Sequence, residues 1–73
     1  MEEKDFLKKV GKNLKVERIK KDLSQEKLAE CIDSNQQYIS LIESGEQNTT
    51  LSNLFKLSQV LEIEPYKLLK FDE

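Results

Sequence analysis

The chain has 73 residues, with 12 Lys/Arg against 14 Asp/Glu, one cysteine and no histidine. That length makes one small domain spanning residues 1–73. A single thiol without imidazole excludes an internal disulfide and a structural zinc site of the usual four Cys/His ligands. No metal or other cofactor is expected. No run of about 18 apolar residues is present to cross a bilayer. The N-terminus, MEEKDFLKKV, lacks the apolar stretch of a secretory signal. The lone Cys31 fits a reducing compartment, so the expectation is a cytoplasmic protein. An enzyme is not expected either: there is no glycine-rich phosphate loop and no recognisable carboxylate or histidine motif.

The net charge of −2 is unevenly spread. Residues 1–27 carry nine Lys/Arg against six Asp/Glu, and residues 28–73 carry three against eight. Local patches decide attraction to phosphate, so a nucleic-acid partner stays open. No window alternates apolar and polar residues with β-branched side chains, and the whole chain reads as helical. Its two glycines and one proline are expected to fall where helices begin or end.

Helix 1 is predicted from Asp5, as N-cap, to Lys20. Leu7, Val10, Leu14 and Arg18 recur at spacings of three, four and four along one face. The arginine ending this stripe must either snorkel to water or meet a carboxylate. Val16 and Ile19 lie off it. Helix 2 follows Ser24, an N-cap, and runs to about Ile32 with Leu28, Ala29 and Ile32 inward; the small Ala29 admits a close helix neighbour. Asp33-Ser34 is the turn, since Asp tolerates left-handed backbone. Asn35 caps helix 3, Gln36 to Glu43, and Gly45 stops it.

Ile39 and Ile42 are the buried face of helix 3, with Glu43 on the same side. Arg18 and Glu43 are therefore either an interhelical pair or two unrelated solvated side chains. Ser44 to Thr50 is a polar loop. Thr50 caps helix 4, whose stripe is Leu51, Leu54, Leu57 and Leu61, with Ser58 also inward. Ile63 plugs the core. Pro65 opens helix 5, and Leu68 and Leu69 close the core.

Opposite Ile39 and Ile42, helix 3 presents Gln37, Ser40, Leu41 and Ser44, flanked by Gln36. A carboxamide matches adenine N6/N7 as a bidentate pair, and a leucine suits a thymine methyl. Taken alone, two glutamines are as well read as a solvated helix end. A small residue in one helix, a turn about four residues later and buried aliphatics in the next describe a helix-turn-helix over about residues 24–43. In that motif the second helix enters the groove with its N-terminal residues on base edges. Gln25, Asn35, Asn48 and Thr49 are then candidates for phosphate contact; capping and solvation are the commoner use of such residues.

Val10-Gly11, Leu14, Arg18, Leu23-Ser24-Gln25, Leu28-Ala29, Ile39, Ile42-Glu43, Gly45 and the leucine-rich end of the chain form an ordered set. With it the chain resembles the Cro/cI-type (XRE-like) helix-turn-helix repressors from about Val10 to Leu69. The resemblance implies an all-α, five-helix, lambda-repressor-like domain that binds duplex DNA as a homodimer. It implies that Arg18 and Glu43 form the family's internal salt bridge, that Gln36 and Gln37 lie at base-reading positions, that Leu41 also reaches the groove, and that Gln25 touches the DNA backbone; Ser40 joins the base-contact candidates by its place on the exposed face. The sequence departs from the family pattern at Asp33, Ser34 and Glu46; the last places an acid where a basic residue is common near phosphates.

A narrower set, Tyr38-Ile39-Ser40, Ile42-Glu43, Gly45 and Asn48-Thr49-Thr50-Leu51, resembles the controller proteins of restriction–modification systems. That pattern usually has arginine near position 36, where this chain has glutamine. The leading expectation is a sequence-specific transcriptional regulator. The alternative is a protein-interaction module, an antirepressor or antitoxin-like partner, which the acidic C-terminal half would suit. One recognition helix reads too few bases, so a two-fold dimer is expected, its contact among Phe55, Tyr66, Leu69 and Phe71; the plainer alternative is that these four complete a thin core.

Overall fold

The structure is a computed structural model and describes residues 1–72. In chain order it holds α1 (Glu3–Lys20), α2 (Gln25–Cys31), α3 (Gln36–Ser44), α4 (Leu51–Leu61) and a single 3-10 turn, Pro65–Leu68. No strand occurs among the described residues. The all-helical expectation therefore holds, but the fifth helix is a tight turn rather than an α-helix.

Local chemistry explains most boundaries. Ser24 Oγ accepts from the Lys27 N–H at 2.9 Å, Asn35 Oδ1 from the Tyr38 N–H at 2.9 Å, and Thr50 Oγ1 from the Asn53 N–H at 3.0 Å. Each cap satisfies one of the donors a helix start leaves unpaired. Asp33 adopts φ 57° in the turn between α2 and α3, and Gly45 stops α3 at φ 79°. Gly45 combines the left-handed backbone with a tight fit, since a Cβ there would sit 2.8 Å from the Lys8 Cα. Glu62 ends α4 at φ 57°. Its carboxylate meets the Lys21 ammonium, and that hydrogen bond and charge hold the Glu62 carboxyl below its ordinary value. The contact is exposed, so screening by salt keeps its contribution small.

Four sequence expectations are corrected. Asp5 does not cap α1; Glu2 takes that position without a side-chain bond, and Asp5 joins Glu3 in the first turn, where carboxylates suit the helix dipole. Gly11 lies inside α1, not at an end. Leu51 is 83% exposed although it continues the stripe of Leu54, Leu57 and Leu61: no element of the described chain covers the first turn of α4 there. Leu69 is 43% exposed, leaving Leu68 alone to close the core.

The last turn stops early for a physical reason. A continuing helix would satisfy its carbonyls with its own N–H groups. Here the Asn13 amide of α1 takes them instead, donating to Leu68 O at 3.1 Å and Lys70 O at 2.8 Å. With one apolar residue to bury, a second turn has nothing to gain from burial.

The core draws on every element: Leu14, Leu28, Ile39, Leu57, Leu61 and Leu68 are all but solvent-free, with Ile63 packed at the margin. Ser58 is buried among them, and its hydroxyl donates to Phe55 O at 2.7 Å. The helix α3 packs against both α1 and α2. At Gly11 the approach of α1 to α3 is closest, because a Cβ there would lie 2.2 Å from Ile42 O and 2.6 Å from Glu43 O. These are backbone atoms, which cannot rotate aside. Gly11→Ala is therefore expected to push α3 off α1 and to lower stability by about 1–3 kcal/mol or more, the range for overpacking. A urea midpoint equal to that of the unmodified chain would refute the close approach.

Candidate nucleic-acid interface

The helix α3 is seated by two side chains, Ile39 (0% exposed) and Ile42 (3%). Its opposite side carries Gln36, Gln37 and Ser40, all exposed, with Leu41 half-buried beside them. The two carboxamides that sequence singled out project from the N-terminal turn of a fixed helix. Ser44 ends this face, but its hydroxyl is turned back onto Leu41 O at 3.1 Å.

Beneath the face lies a chain of charge-assisted hydrogen bonds. Arg18 grips Glu43 with both ends of its fork: Nε to Oε2 at 2.7 Å and Nη2 to Oε1 at 3.1 Å. Its Nη1 donates to Leu23 O at 2.8 Å, fixing the link from α1 to α2. Glu43 Oε1 also accepts from Gln25 Nε2 at 3.0 Å, and Gln25 Oε1 lies 3.5 Å from Gln36 Nε2. The Arg18 and Glu43 side chains are 11% and 4% exposed. Of the two alternatives for these residues, pairing is the one the structure holds.

Gln25 thus spends one amide hydrogen inside the protein and keeps the second for the surface. It braces Gln36 from below, a role its position at the start of α2 did not announce. Asn35 uses its carbonyl as the cap of α3 and remains exposed. Past α3, the Tyr38 hydroxyl sits 2.9 Å from Thr49 Oγ1 and accepts from Asn53 Nδ2 at 2.7 Å. These bonds tie the loop to α3 and α4. Asn48 Oδ1 accepts from the Thr49 N–H at 3.0 Å and is exposed there. Sequence reasoning missed the Tyr38–Asn53 bond, because partners 15 residues apart follow no helical period.

The residues expected at a dimer contact separate. Phe55 and Tyr66 are 54% and 58% exposed, as is Leu69 at 43%. Phe71 turns back onto α1, its ring edge-on to Phe6 at 5.6 Å between centroids. Among the described residues no helix is long and apolar enough to cross a membrane.

A family description of helix-turn-helix proteins matches residues 14–68, which holds both seated helices and the turn between them. The chain belongs to the helix-turn-helix family. Among similar members of that family are two curated relatives. Control protein C.BamHI from Bacillus amyloliquefaciens is 46% identical over 52 residues, which is 71% of this chain. Control protein C.MunI from a Mycoplasma species is 47% identical over 49 residues, 67% of this chain. The matched stretches span 64% and 66% of those two proteins. The crystal structure of the restriction-modification controller protein C.AhdI from Aeromonas hydrophila superposes with a TM-score of 0.88 at 37% identity, covering 93% of this chain and 99% of that one. The helix-turn-helix relatives thus include the controller proteins whose sequence pattern this chain resembles.

Removing one partner of the Arg18–Glu43 pair leaves a buried charge alone, which typically costs about 3–5 kcal/mol. Arg18→Ala is expected to lose that amount in a denaturant melt. Arg18→Lys is expected to recover only part of it, because an ammonium cannot reproduce the planar fork. A melting temperature unchanged in Arg18→Ala would rule the pair out as a structural element.

Proposed function

We propose that this chain is a sequence-specific, duplex-DNA-binding transcriptional regulator of the controller type, acting as a homodimer with α3 in the major groove. The observation that carries the reading is the exposed Gln36–Gln37–Ser40 edge at the start of a helix locked from behind by Arg18, Glu43 and Gln25. A protein that only bound other proteins would have no need of paired carboxamides presented on the exposed side of a seated helix. Gln36 and Gln37 read base edges in this proposal, with Ser40 and Leu41 on the adjoining step. Gln25, Asn35, Asn48 and Thr49 flank them toward the phosphates.

The likeness to control proteins supports the narrower assignment. In this reading the glutamine at position 36, where the controller pattern usually has arginine, gives an operator that favours adenine over guanine at that contact. The dimer contact would centre on the apolar side chains left uncovered on and after α4, namely Leu51, Phe55 and Leu69, with Tyr66 and Phe71 at its edge. Two-fold pairing places the two copies of α3 about 34–36 Å apart on one side of the duplex.

Anisotropy titration against fragments from beside its own gene tests the reading. Gln37→Ala is expected to reduce discrimination at one base step by about 1–3 kcal/mol and to leave affinity for unrelated duplex nearly intact. Gln25→Ala is expected to weaken binding to every sequence and to blunt the preference read by Gln36. Binding that shows no salt dependence between about 50 and 200 mM, or no sequence preference, would favour the protein-interaction alternative. For the dimer, Phe55→Asp is expected to give a monomer in sedimentation at high micromolar concentration, with weaker operator binding. An unmodified chain that sediments as a monomer there would remove the dimer from the proposal.

A further inference from the structure

Between α1 and the C-terminal turn, away from α3, runs a groove of about 450 Å3 whose Tyr66 and Phe71 also border the proposed dimer contact. That volume falls within the ~300–1,000 Å3 of pre-formed ligand clefts. One wall is a stripe of α1, Lys9, Lys12, Val16 and Lys20, whose spacings of three, four and four set them on one side of the helix. The opposite wall carries Tyr66, Lys67 and Lys70. The Asn13 amide ties the two walls together through Leu68 O and Lys70 O.

Its chemistry is unlike the rest of the surface. Five lysines converge on one groove in a chain of net charge −2. Among the described residues the acids lining it are Glu17 and Asp72, and Glu17 pairs with one of the five, Lys20, at 3.5 Å. Val16 and Tyr66 are 41% and 58% exposed, so each lysine-bearing wall also offers apolar surface to the groove. The Lys9 ammonium is 5.8 Å from the Phe71 ring at one end.

We infer that this groove docks an acidic peptide segment of a partner protein, one carrying leucine or aromatic residues between its carboxylates. Basic rims meet the carboxylates, and the apolar surface of Val16 and Tyr66 takes the apolar side chains. Lysine stems lie along such surface while their charges stay in water. All five cations are lysines rather than arginines, which suits a pattern of charge more than bidentate recognition of a phosphate. A duplex would meet the rims with its phosphates but offers no side chain for the apolar surface. The groove also opens on the side of α1 away from Gly11 and Arg18, the residues that meet α3. Peptide and operator would therefore occupy separate faces of one molecule. The inference does not rest on the DNA-binding reading: a chain that bound no DNA would still bind the peptide.

The test is a titration of the full chain into a fluorescein-labelled peptide of roughly a dozen residues alternating Asp/Glu with Leu/Phe, the probe sized to the groove. Saturable binding is expected, together with a loss of at least about tenfold in affinity in Lys12→Glu and Lys67→Glu. Lys56→Glu on α4, outside the groove, is expected to bind as the unmodified chain does. Lys12→Ala and Lys67→Ala, confirmed folded by circular dichroism, should show a smaller loss and serve if charge reversal unfolds the chain. Four results of the titration itself would overturn the proposal. These are absence of saturable binding, equal binding of a peptide with Ser in place of Leu/Phe, indifference to all groove variants, or displacement by random duplex DNA, which would make nucleic acid the occupant. Loss of peptide binding as the chain self-associates would likewise overturn it, by making a second copy the occupant.

Discussion

One carboxylate holds the helix-turn-helix together. Glu43 sits near the end of α3, 4% exposed, and accepts three N–H donors from two other helices: two from Arg18 and one from Gln25. Burying a charge in this way is costly unless its lone pairs are matched. The fork of Arg18 meets that condition in a single plane, and its remaining end reaches Leu23 O so that the link between α1 and α2 is drawn into the same set of bonds. The geometry of α3 against α2 is thus set by directional bonds as well as by apolar contact. Apolar packing alone would let one helix rotate or slide on the other at small expense.

That constraint depends on how closely the helices approach. Gly11 lets the backbone of α1 come against the backbone of α3 at Ile42 and Glu43, which brings Arg18 within reach two turns farther on. The left-handed Gly45 stops α3 at the same end as Glu43, and the N-terminal turn is tied separately, by the Tyr38 hydroxyl held between Thr49 and Asn53. A helix anchored at both ends loses little conformational freedom on meeting a target, and preorganisation of this kind converts into affinity and selectivity. It matters here because the chain as a whole is acidic. A net-negative protein gains little from undirected attraction to phosphate, so discrimination must come from a few well-placed side chains.

The first helix serves both sides of the molecule. One side of α1 supports α3 through Gly11 and Arg18; the other carries the lysine stripe and, through Asn13, holds the C-terminal turn. Nine of the twelve Lys/Arg fall in residues 1–27, and three of them, Lys9, Lys12 and Lys20, line the groove.

What the sequence determined by itself was most of what acts over a turn or two, the start of α1 being the exception. Ser24, Asn35 and Thr50 cap where their side chains predict, Asp33 and Gly45 turn where their backbones allow, and the 3.6-residue period assigns Leu14, Leu28, Ile39 and Leu57 to the core, because each of these choices is made by neighbours in the chain. The motif frame and the identity of the exposed glutamines were legible for the same reason. The partners of Arg18, the brace of Gln25 beneath Gln36, the fit at Gly11, the exposure of Leu51 and the truncation of the last helix by Asn13 were decided only by the tertiary structure. Each depends on which surface arrives opposite a residue, and a helical period says which way a side chain points without saying what will be there to meet it.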